Sequence, residues 1–160
     1  MIILGIDPAL SISGYGAIDF SANHIGLIEA GIISTNASES LAERLNKIYR
    51  AIIKLIDDIN PQVVVVEKIY AHYAHPTTAY ILGHARGVIF LACAVKKIKL
   101  VEYAATRVKK SVVGKGLASK YQVQRMVTQT LGLDKIPEYT DVTDAIALAL
   151  THGYITKHKV

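Results

Sequence analysis

The sequence predicts one α/β domain over residues 1–160, built on a five-stranded mixed sheet flanked by helices. Three strand-like segments come first, joined as hairpins, and strands and helices alternate after them. The run Val63-Val64-Val65-Val66 is β-branched throughout, which is typical of a strand buried on both faces of a parallel sheet. Hairpins at the start and a parallel strand later in the chain together predict a mixed sheet.

Each element follows from apolar spacing and from residues that end strands or helices. Asp7-Pro8 ends the first strand, and Asn60-Pro61 stops the first helix, whose apolar residues recur at helical spacing. The stretch after the fifth strand and through Lys115 is predicted only as a basic segment. In chain order we predict strands over residues 2–7, 14–20 and 24–34, a helix over 38–59, a strand over 63–66, a helix over 76–97, a strand at Lys99–Tyr103, and helices over 119–131 and from Asp141 onward.

The positive charge of the chain is concentrated in one window. The formal net charge is +5, yet residues 96–125 contain nine lysines and arginines and a single acid, Glu102. A basic excess gathered in one segment favours a surface that faces a polyanion such as nucleic acid, and a solvated face is the alternative. Arg107, Lys109, Lys115 and Lys120 are the candidate DNA-binding residues of this window.

The sequence shows none of the features of a secreted or membrane protein. The apolar start is short, without a basic lead-in or a cleavage site, and no stretch gives about 18 uninterrupted apolar residues. Cys93 is the one cysteine, which excludes an internal disulfide and a zinc cluster. We therefore expect a cytoplasmic protein with no membrane partner.

Four acids stand at the predicted ends of strands and at the start of a helix. Asp7 and Glu67 end two strands, so both should reach the carboxyl edge of the sheet, where open α/β sheets bind ligands. Asp141 and Asp144 are three residues apart and share one helix face. If that helix packs beside the same edge, the carboxylates converge as hard oxygen ligands for two Mg²⁺ ions, with Mn²⁺ as a substitute.

Each acid also has an ordinary structural explanation. Thr140 or Asp141 could cap the helix, because an acid in the first turn meets the positive end of the helix dipole. Asp7 before Pro8 could be a turn residue, and Glu67 could simply face water. Capping accounts for one acid of the helix pair and leaves the others unexplained.

The motifs along the chain resemble those of the RuvC family of Holliday junction resolvases, in order and at matching spacing. They are Gly5-Ile6-Asp7-Pro8, Gly14-Tyr15-Gly16, Val65-Val66-Glu67, Gly83-His84-Ala85-Arg86-Gly87, Glu102-Tyr103-Ala104, Val112-Val113-Gly114-Lys115-Gly116, Lys120-Tyr121-Gln122-Val123-Gln124 and Asp141-Val142-Thr143-Asp144-Ala145. The resemblance implies a ribonuclease H-like fold, a homodimer and Mg²⁺-dependent paired nicking of four-way DNA junctions. It also implies the branch-migration proteins RuvA and RuvB as partners.

By position, the resemblance implies roles for individual residues. Asp7, Glu67, Asp141 and Asp144 match the family's metal-binding catalytic acids, and Lys109 and Lys120 match its lysines beside the active site. Tyr70 matches an aromatic residue that stacks on a junction base. Gly83 and Gly87, four residues apart on a helix, are implied to form part of the dimer contact, whereas from the residues alone packing against the sheet is the alternative. Arg86 between them could pair across the interface or contact a phosphate.

Two departures from the family pattern bear on the site. Ala9-Leu10 stands where the family usually has Gly-Ser, which removes a flexible residue beside the end of the first strand. The loop over residues 70–77 is about one residue longer than usual. These changes bear on base stacking and sequence preference more than on catalysis.

Three functions fit these observations, in decreasing order. The first is a junction endonuclease in which two metal ions promote in-line attack of water and leave 5′-phosphate and 3′-hydroxyl ends. The second is a non-catalytic junction-binding protein that uses only the basic surface. The third, suggested by Gly5-Ile6-Asp7, is a nucleotide-binding domain of the actin-like superfamily, which would need a second lobe that 160 residues cannot supply.

Overall fold

The structure, a computed structural model, describes residues 1–69 and 76–157. Its five strands are β1 (Ile2–Asp7), β2 (Ile12–Phe20), β3 (Ile25–Ser34), β4 (Val63–Glu67) and β5 (Lys99–Tyr103). They form one sheet in the order β3-β2-β1-β4-β5. β1, β2 and β3 pair antiparallel, while β4 is parallel to both β1 and β5. The prediction of a five-stranded mixed sheet is therefore confirmed.

Five helices cover the two faces of this sheet. They are α1 (Leu41–Ile59), α2 (Pro76–Val95), α3 (Ala105–Val113), α4 (Lys120–Leu131) and α5 (Thr140–Lys157). α1 and α4 begin with capping boxes, at Ser40 with Glu43 and at Ser119 with Gln122. In each box the hydroxyl accepts a bond from the backbone N–H three residues on, and this satisfies one of the free donors of the first turn.

Two apolar layers enclose the sheet, and the run of four valines contributes to both. Val64 and Val66 pack with residues of α1 and α2, whereas Val63 and Val65 pack with residues of α3, α4 and α5. All four valines are buried. The interpretation of this run as a strand covered on both faces is therefore confirmed, and it places β4 in the interior of the sheet.

Helix α3 was predicted only as a basic segment, and this part of the prediction was wrong. The residue before the helix, Ala104, makes no side-chain cap, so no starting signal marks the helix in the sequence. Val108 and Val112 are buried one turn apart, and Gly114 ends the helix with a φ of 84°. The lysines and arginine of this segment therefore lie on a helix whose apolar side packs against the core.

The turn after β1 is held by several hydrogen bonds. Leu10 is buried in the core, and the Ser13 hydroxyl donates to the Ala9 carbonyl at 2.6 Å while accepting from the Ala9 N–H at 3.0 Å. The Thr35 hydroxyl donates to the Leu10 carbonyl at 2.6 Å, and Arg44 donates to that hydroxyl at 2.9 Å. Ala9-Leu10 thus forms an anchored turn beside Asp7.

Helix α2 is apolar along its length but little covered by the rest of the chain. Its segment Thr77–Val95, with a mean hydropathy of 1.5, is long and apolar enough by length and composition to cross a membrane, and 28% of it is buried. One helix of this kind is weak evidence for a membrane span. The exposed apolar residues of its outer face are Tyr80, Ile81, Phe90, Leu91 and Val95.

Candidate active site

Two of the candidate acids end neighbouring parallel strands. Asp7 is the last residue of β1 and Glu67 the last of β4, and the strands pair with Ile6 opposite Val66. Since both strands run in the same direction, their carboxyl ends meet at one edge of the sheet. Asp7 and Glu67 therefore enter the same cleft, as predicted from their positions in the sequence.

The other two acids reach that edge because α5 lies unusually close to the sheet. A Cβ atom added to Gly5 would stand 1.9 Å from the carbonyl oxygen of Ala145, and one added to Gly14 would stand 2.1 Å from that of Asp141. Glycine is the one residue that permits this approach of helix backbone to strand backbone. The glycines of the N-terminal motifs thus let the first turns of α5 rest on β1 and β2.

Helix α5 begins at Thr140, so Thr140 and Asp141 lie within its first turn. The residue before the helix is Tyr139, whose carbonyl accepts a bond from the Val142 N–H at 3.2 Å. The capping interpretation was therefore wrong by one or two residues. Asp141 stays close to the helix N-terminus, where the dipole favours its negative charge.

The acids and two lysines surround a cleft of about 260 Å³ between the sheet edge, α3, α4 and α5. Lys120, the first residue of α4, approaches Asp144, with 3.4 Å between Nζ and Oδ2. Asp141 is outside the lining of this cleft. The lining residues are Asp7, Glu67, Ala105, Val108, Lys109, Lys120, Val123, Asp144 and Leu148.

The cleft carries an excess of negative charge that is felt most strongly at Asp7. The pKa of Asp7 is raised to about 7, mainly because the side chain is buried. The charges of Asp144, Asp141 and Glu67 add to the rise, and only Lys120 opposes it. A carboxylate is disfavoured where it is desolvated beside others, so a positive charge placed here would be strongly stabilised.

The remaining groups of the cleft respond in the same way. Burial raises the pKa values of Glu67 and Asp144, while the positive charge of Lys120 counteracts both shifts. The pKa of Lys120 is raised in turn, chiefly by Asp144. Lys120 is thus the main counter-charge of the acids.

The donor set suits a hard divalent cation, although the side chains are not closed around one. Carboxylate oxygens are the ligands that Mg²⁺ and Mn²⁺ prefer, and the raised pKa of Asp7 marks the place where a cation would relieve repulsion. Within residues 1–69 and 76–157, no three or more His, Cys, Asp or Glu side chains are grouped tightly enough to hold a metal ion. Asp7, Glu67 and Asp144 are the residues positioned to do so after small side-chain rotations, and the ligand roles of the four acids stay a prediction.

Comparison with known proteins identifies the family of the chain. The family model described as crossover junction endodeoxyribonuclease RuvC matches residues 3–152. The chain belongs to the RuvC family.

Relatives and solved structures agree with this assignment. The RuvC chain is 42% identical to the crossover junction endodeoxyribonuclease RuvC of Alkaliphilus oremlandii, over 96% of this chain and 93% of the relative. Its structure is similar to that of Thermus thermophilus RuvC, with a TM-score of 0.91 and 27% identity over 99% of this chain and 97% of the other. It is equally similar, at a TM-score of 0.91 and 26% identity, to T. thermophilus RuvC in complex with a Holliday junction substrate, covering 99% and 96% of the two chains. The resemblance and the ribonuclease H-like fold are both confirmed.

The candidate DNA-binding residues of this RuvC chain do not form one group. Lys109 and Lys120 line the cleft, whereas Arg107 lines a separate cavity of about 570 Å³ on another side of α3. Lys115 is exposed in the turn between α3 and α4. Tyr70 and most of the lengthened loop lie outside the described residues, so base stacking stays a prediction.

The two glycines of α2 lie on an open face of the RuvC domain. No described atom comes within 4 Å of a Cβ built at Gly83 or Gly87, so neither packs against the sheet. They line a shallow groove with Leu45 of α1 and with Tyr80 and Leu91 of α2. The alternative of packing against the sheet was wrong, and the dimer contact stays a prediction.

Arg86 occupies neither of the positions expected from the sequence. Its guanidinium is buried and donates to the backbone carbonyl of Glu67 and, at 2.5 Å, to Oε1 of Glu102. Both partners belong to the same chain, in β4 and β5. The sequence offered one signal for this contact, since Glu102 is the only acid in the basic window.

Proposed function

We propose that this RuvC-family chain is a Mg²⁺-dependent endonuclease that resolves four-way DNA junctions by paired nicks. The observation that carries the proposal is the cleft in which Asp7, Glu67 and Asp144 face Lys109 and Lys120. Family membership and the similarity to T. thermophilus RuvC in complex with a Holliday junction substrate support the choice of substrate.

The residues of the cleft divide the work between substrate and metal. Lys109 and Lys120 attract the phosphodiester and hold it against the acids, because phosphate contacts position a DNA backbone without reading its sequence. The apolar side chains of Val108, Val123 and Leu148 limit access of bulk water and strengthen the electrostatic interactions within the cleft. Divalent cations held by the carboxylates would activate the attacking water and stabilise the leaving oxygen.

The reaction is a hydrolysis with a defined direction. The oxygen of a water molecule forms a bond to phosphorus while the bond to the 3′-oxygen breaks. A proton of the water passes to solvent, and the leaving 3′-oxygen takes up a proton. The products carry a 5′-phosphate and a 3′-hydroxyl, and strand religation needs these ends.

Two other functions are less well supported. A non-catalytic junction-binding protein needs the basic surface alone, and would have no use for acids whose convergence raises the pKa of Asp7. A nucleotide-binding domain of the actin-like superfamily is also not favoured, since the family match covers residues 3–152. The glycines near Asp7 are occupied by the approach of α5 and leave no room for a phosphate.

Paired nicking requires two active sites, and the outer face of α2 offers a surface for a second copy. This face carries exposed Tyr80, Leu91 and Val95 beside the open glycines. A contiguous apolar surface of this kind is what homodimer interfaces bury. Leu91→Lys should shift the protein from dimer to monomer in light scattering, whereas Leu117→Lys, at a leucine 96% exposed in the α3–α4 turn, should not.

The test of the proposed function is a labelled four-way junction incubated with the protein, with and without Mg²⁺. Symmetric nicks near the crossover that appear only with Mg²⁺, and that DNA ligase reseals, are the expected result. Binding of the junction without nicks at any Mg²⁺ or Mn²⁺ concentration would leave the non-catalytic function as the better explanation.

RuvA and RuvB are the proposed partners, by family resemblance, and the cytoplasm the proposed location. Co-purification of the chain with a RuvA–RuvB–junction complex tests the partnership. A comparison of the nicking rate with and without that complex tests whether it matters for resolution.

A further inference from the structure

Arg86 connects α2 to the two strand ends beside the candidate active site. The side chain is 9% exposed, although α2 is mostly uncovered on its outer face. One terminal nitrogen donates to the backbone carbonyl of Glu67, and the other donates to Oε1 of Glu102 at 2.5 Å. The guanidinium therefore bridges β4 and β5 at the edge where the acids meet.

The bond to Glu67 acts at the point where β4 leaves the sheet. β4 ends at Glu67, opposite Tyr103 of β5, and the Lys68 N–H donates to the Tyr103 carbonyl at 2.8 Å. Arg86 binds the carbonyl of the same Glu67–Lys68 peptide group. Both polar atoms of this peptide are thus fixed, and the direction in which the Glu67 side chain leaves the backbone is fixed with them.

Geometry keeps Arg86 away from the substrate. It is absent from the lining of the cleft, and its charge is paired with Glu102. Its guanidinium carbon also lies 5.0 Å from the centre of the Phe90 ring, one turn further along α2. A buried, paired arginine with an aromatic ring beside it is held in one orientation, and arginine is suited to this because its planar fork can serve two acceptors at once.

We propose that Arg86 is a positioning residue that holds Glu67 in the orientation needed for phosphodiester hydrolysis. The inference rests on the proposed function of the cleft, but it concerns a residue that touches neither DNA nor the reacting atoms. Residues that orient the ligands of a metal site commonly change affinity or activity by about 10- to 100-fold when they are replaced.

The test compares Arg86→Lys, Arg86→Gln and Glu102→Gln with the wild-type protein. Single-turnover nicking with saturating junction should slow by about 10- to 100-fold in Arg86→Gln. Arg86→Lys should lie between Arg86→Gln and the wild type, because lysine keeps the charge but cannot reach both acceptors as a fork. Glu102→Gln, which keeps the size of the side chain and leaves Arg86 in place, should slow nicking less than Arg86→Gln. Junction affinity in EDTA should stay within about twofold in all three variants, since the phosphate-binding lysines are unchanged.

A second measurement does not depend on nicking. Mg²⁺ should raise the thermal unfolding midpoint of the wild-type protein, because a ligand that binds only the folded state stabilises it, and it should raise that of Arg86→Gln less. Lys96→Gln is the matched control. It breaks another ion pair of α2, with 2.6 Å between Lys96 and Asp57 of α1, at the end of the helix far from the cleft.

The outcomes separate the two proposals. If the wild-type protein does not nick junctions, the proposed function fails, and the Mg²⁺-dependent shift still reports whether Arg86 holds Glu67. If the wild-type protein nicks and the Arg86 variants nick equally fast, Arg86 is not a positioning residue. The same conclusion holds if the Arg86 variants and Lys96→Gln lose nicking and stability in the same proportion.

Discussion

Gly5 of β1 lies directly against the backbone of Ala145 in α5. A side-chain carbon at residue 5 would stand 1.9 Å from the Ala145 carbonyl oxygen, well inside the sum of their van der Waals radii. Asp7 follows Gly5 by two residues on the strand, and Asp144 precedes Ala145 on the helix. The contact between a glycine and a carbonyl therefore sets the distance between two acids of the cleft.

Replacing Gly5 by alanine should separate those acids. The added methyl group forces α5 away from the sheet, and overpacking of this kind costs about 1–3 kcal/mol or more. We expect a lower midpoint of unfolding in urea and a loss of nicking larger than the loss of junction binding. Gly116→Ala is the control, since its new Cβ would lie 3.4 Å from the Thr106 carbonyl oxygen, an ordinary contact. Equal stability of the two variants would contradict the close approach seen in the structure.

Asp7→Asn should make the metal-free protein more stable while abolishing nicking. The folded-state pKa of Asp7 is about 7 against an ordinary value of 3.8, so this group makes the folded state lose stability as pH rises from about 4 to about 7. The variant lacks that loss, and its advantage should be absent near pH 4 and on the order of 2 kcal/mol above pH 7. Thermal unfolding in EDTA at several pH values measures it.

The control for this prediction is Asp134→Asn, which removes an exposed carboxylate outside the cleft. Its stability should follow the wild-type pH dependence. Junction affinity of Asp7→Asn in EDTA should equal or exceed that of the wild type, because the lysines supply the attraction to phosphate. Full nicking by Asp7→Asn would refute the proposed mechanism.

Lys120→Gln should weaken binding of DNA and slow its cleavage. Lys120 faces Asp144 at 3.4 Å in the cleft, so its removal takes away both a phosphate contact and the main counter-charge of the acids. We expect the slope of log affinity against log salt concentration to become less steep by about 1. Lys47→Gln removes an equal charge from the exposed side of α1, on the opposite face of the sheet, and should leave that slope nearly unchanged.

Leu10→Ser tests whether the anchored turn supports the site. Leu10 is 8% exposed and packs into the core, so the substitution should cost about 2–4 kcal/mol. The equivalent change at an exposed leucine, Leu117→Ser, should alter stability by less than about 0.5 kcal/mol. Chemical denaturation of both proteins decides the point, and a cost at Leu10 no larger than that at Leu117 would show that the turn does not depend on its anchor.

Local patterns were sufficient to predict the sheet. The alternation of Val63 to Val66 between two apolar layers follows from the strand period, and the strand ends at Asp7 and Glu67 follow from the same period. Helix α3 was missed because Ala104 provides no capping side chain and because the lysines of the segment obscured the spacing of Val108 and Val112. A weak local signal was thus overridden by packing that the sequence does not display.

The candidate site was predictable in its acids and less so in its supports. Two acids at strand ends and two at a helix start could be expected to converge once the strands were known to be parallel. The bond from Arg86 to the Glu67 carbonyl could not be expected, because it joins residues 19 apart through a backbone atom that any residue would provide. The glycines beneath α5 were visible as a motif, but their reason, the approach of a second backbone, is a property of the folded chain.

The close seating of α5 on β1 and β2 also has a dynamic consequence. Most of α5 from Val142 to Gly153 is buried, and no side chains at Gly5 or Gly14 separate it from the strands. Amide protons of such an element exchange with solvent only when much of the domain opens, so those of Ile146 to Leu150 should be among the slowest to exchange with deuterium. The backbone that carries Asp141 and Asp144 is therefore rigid on the timescale of a catalytic cycle, and a bound junction has to adjust its own backbone to meet them.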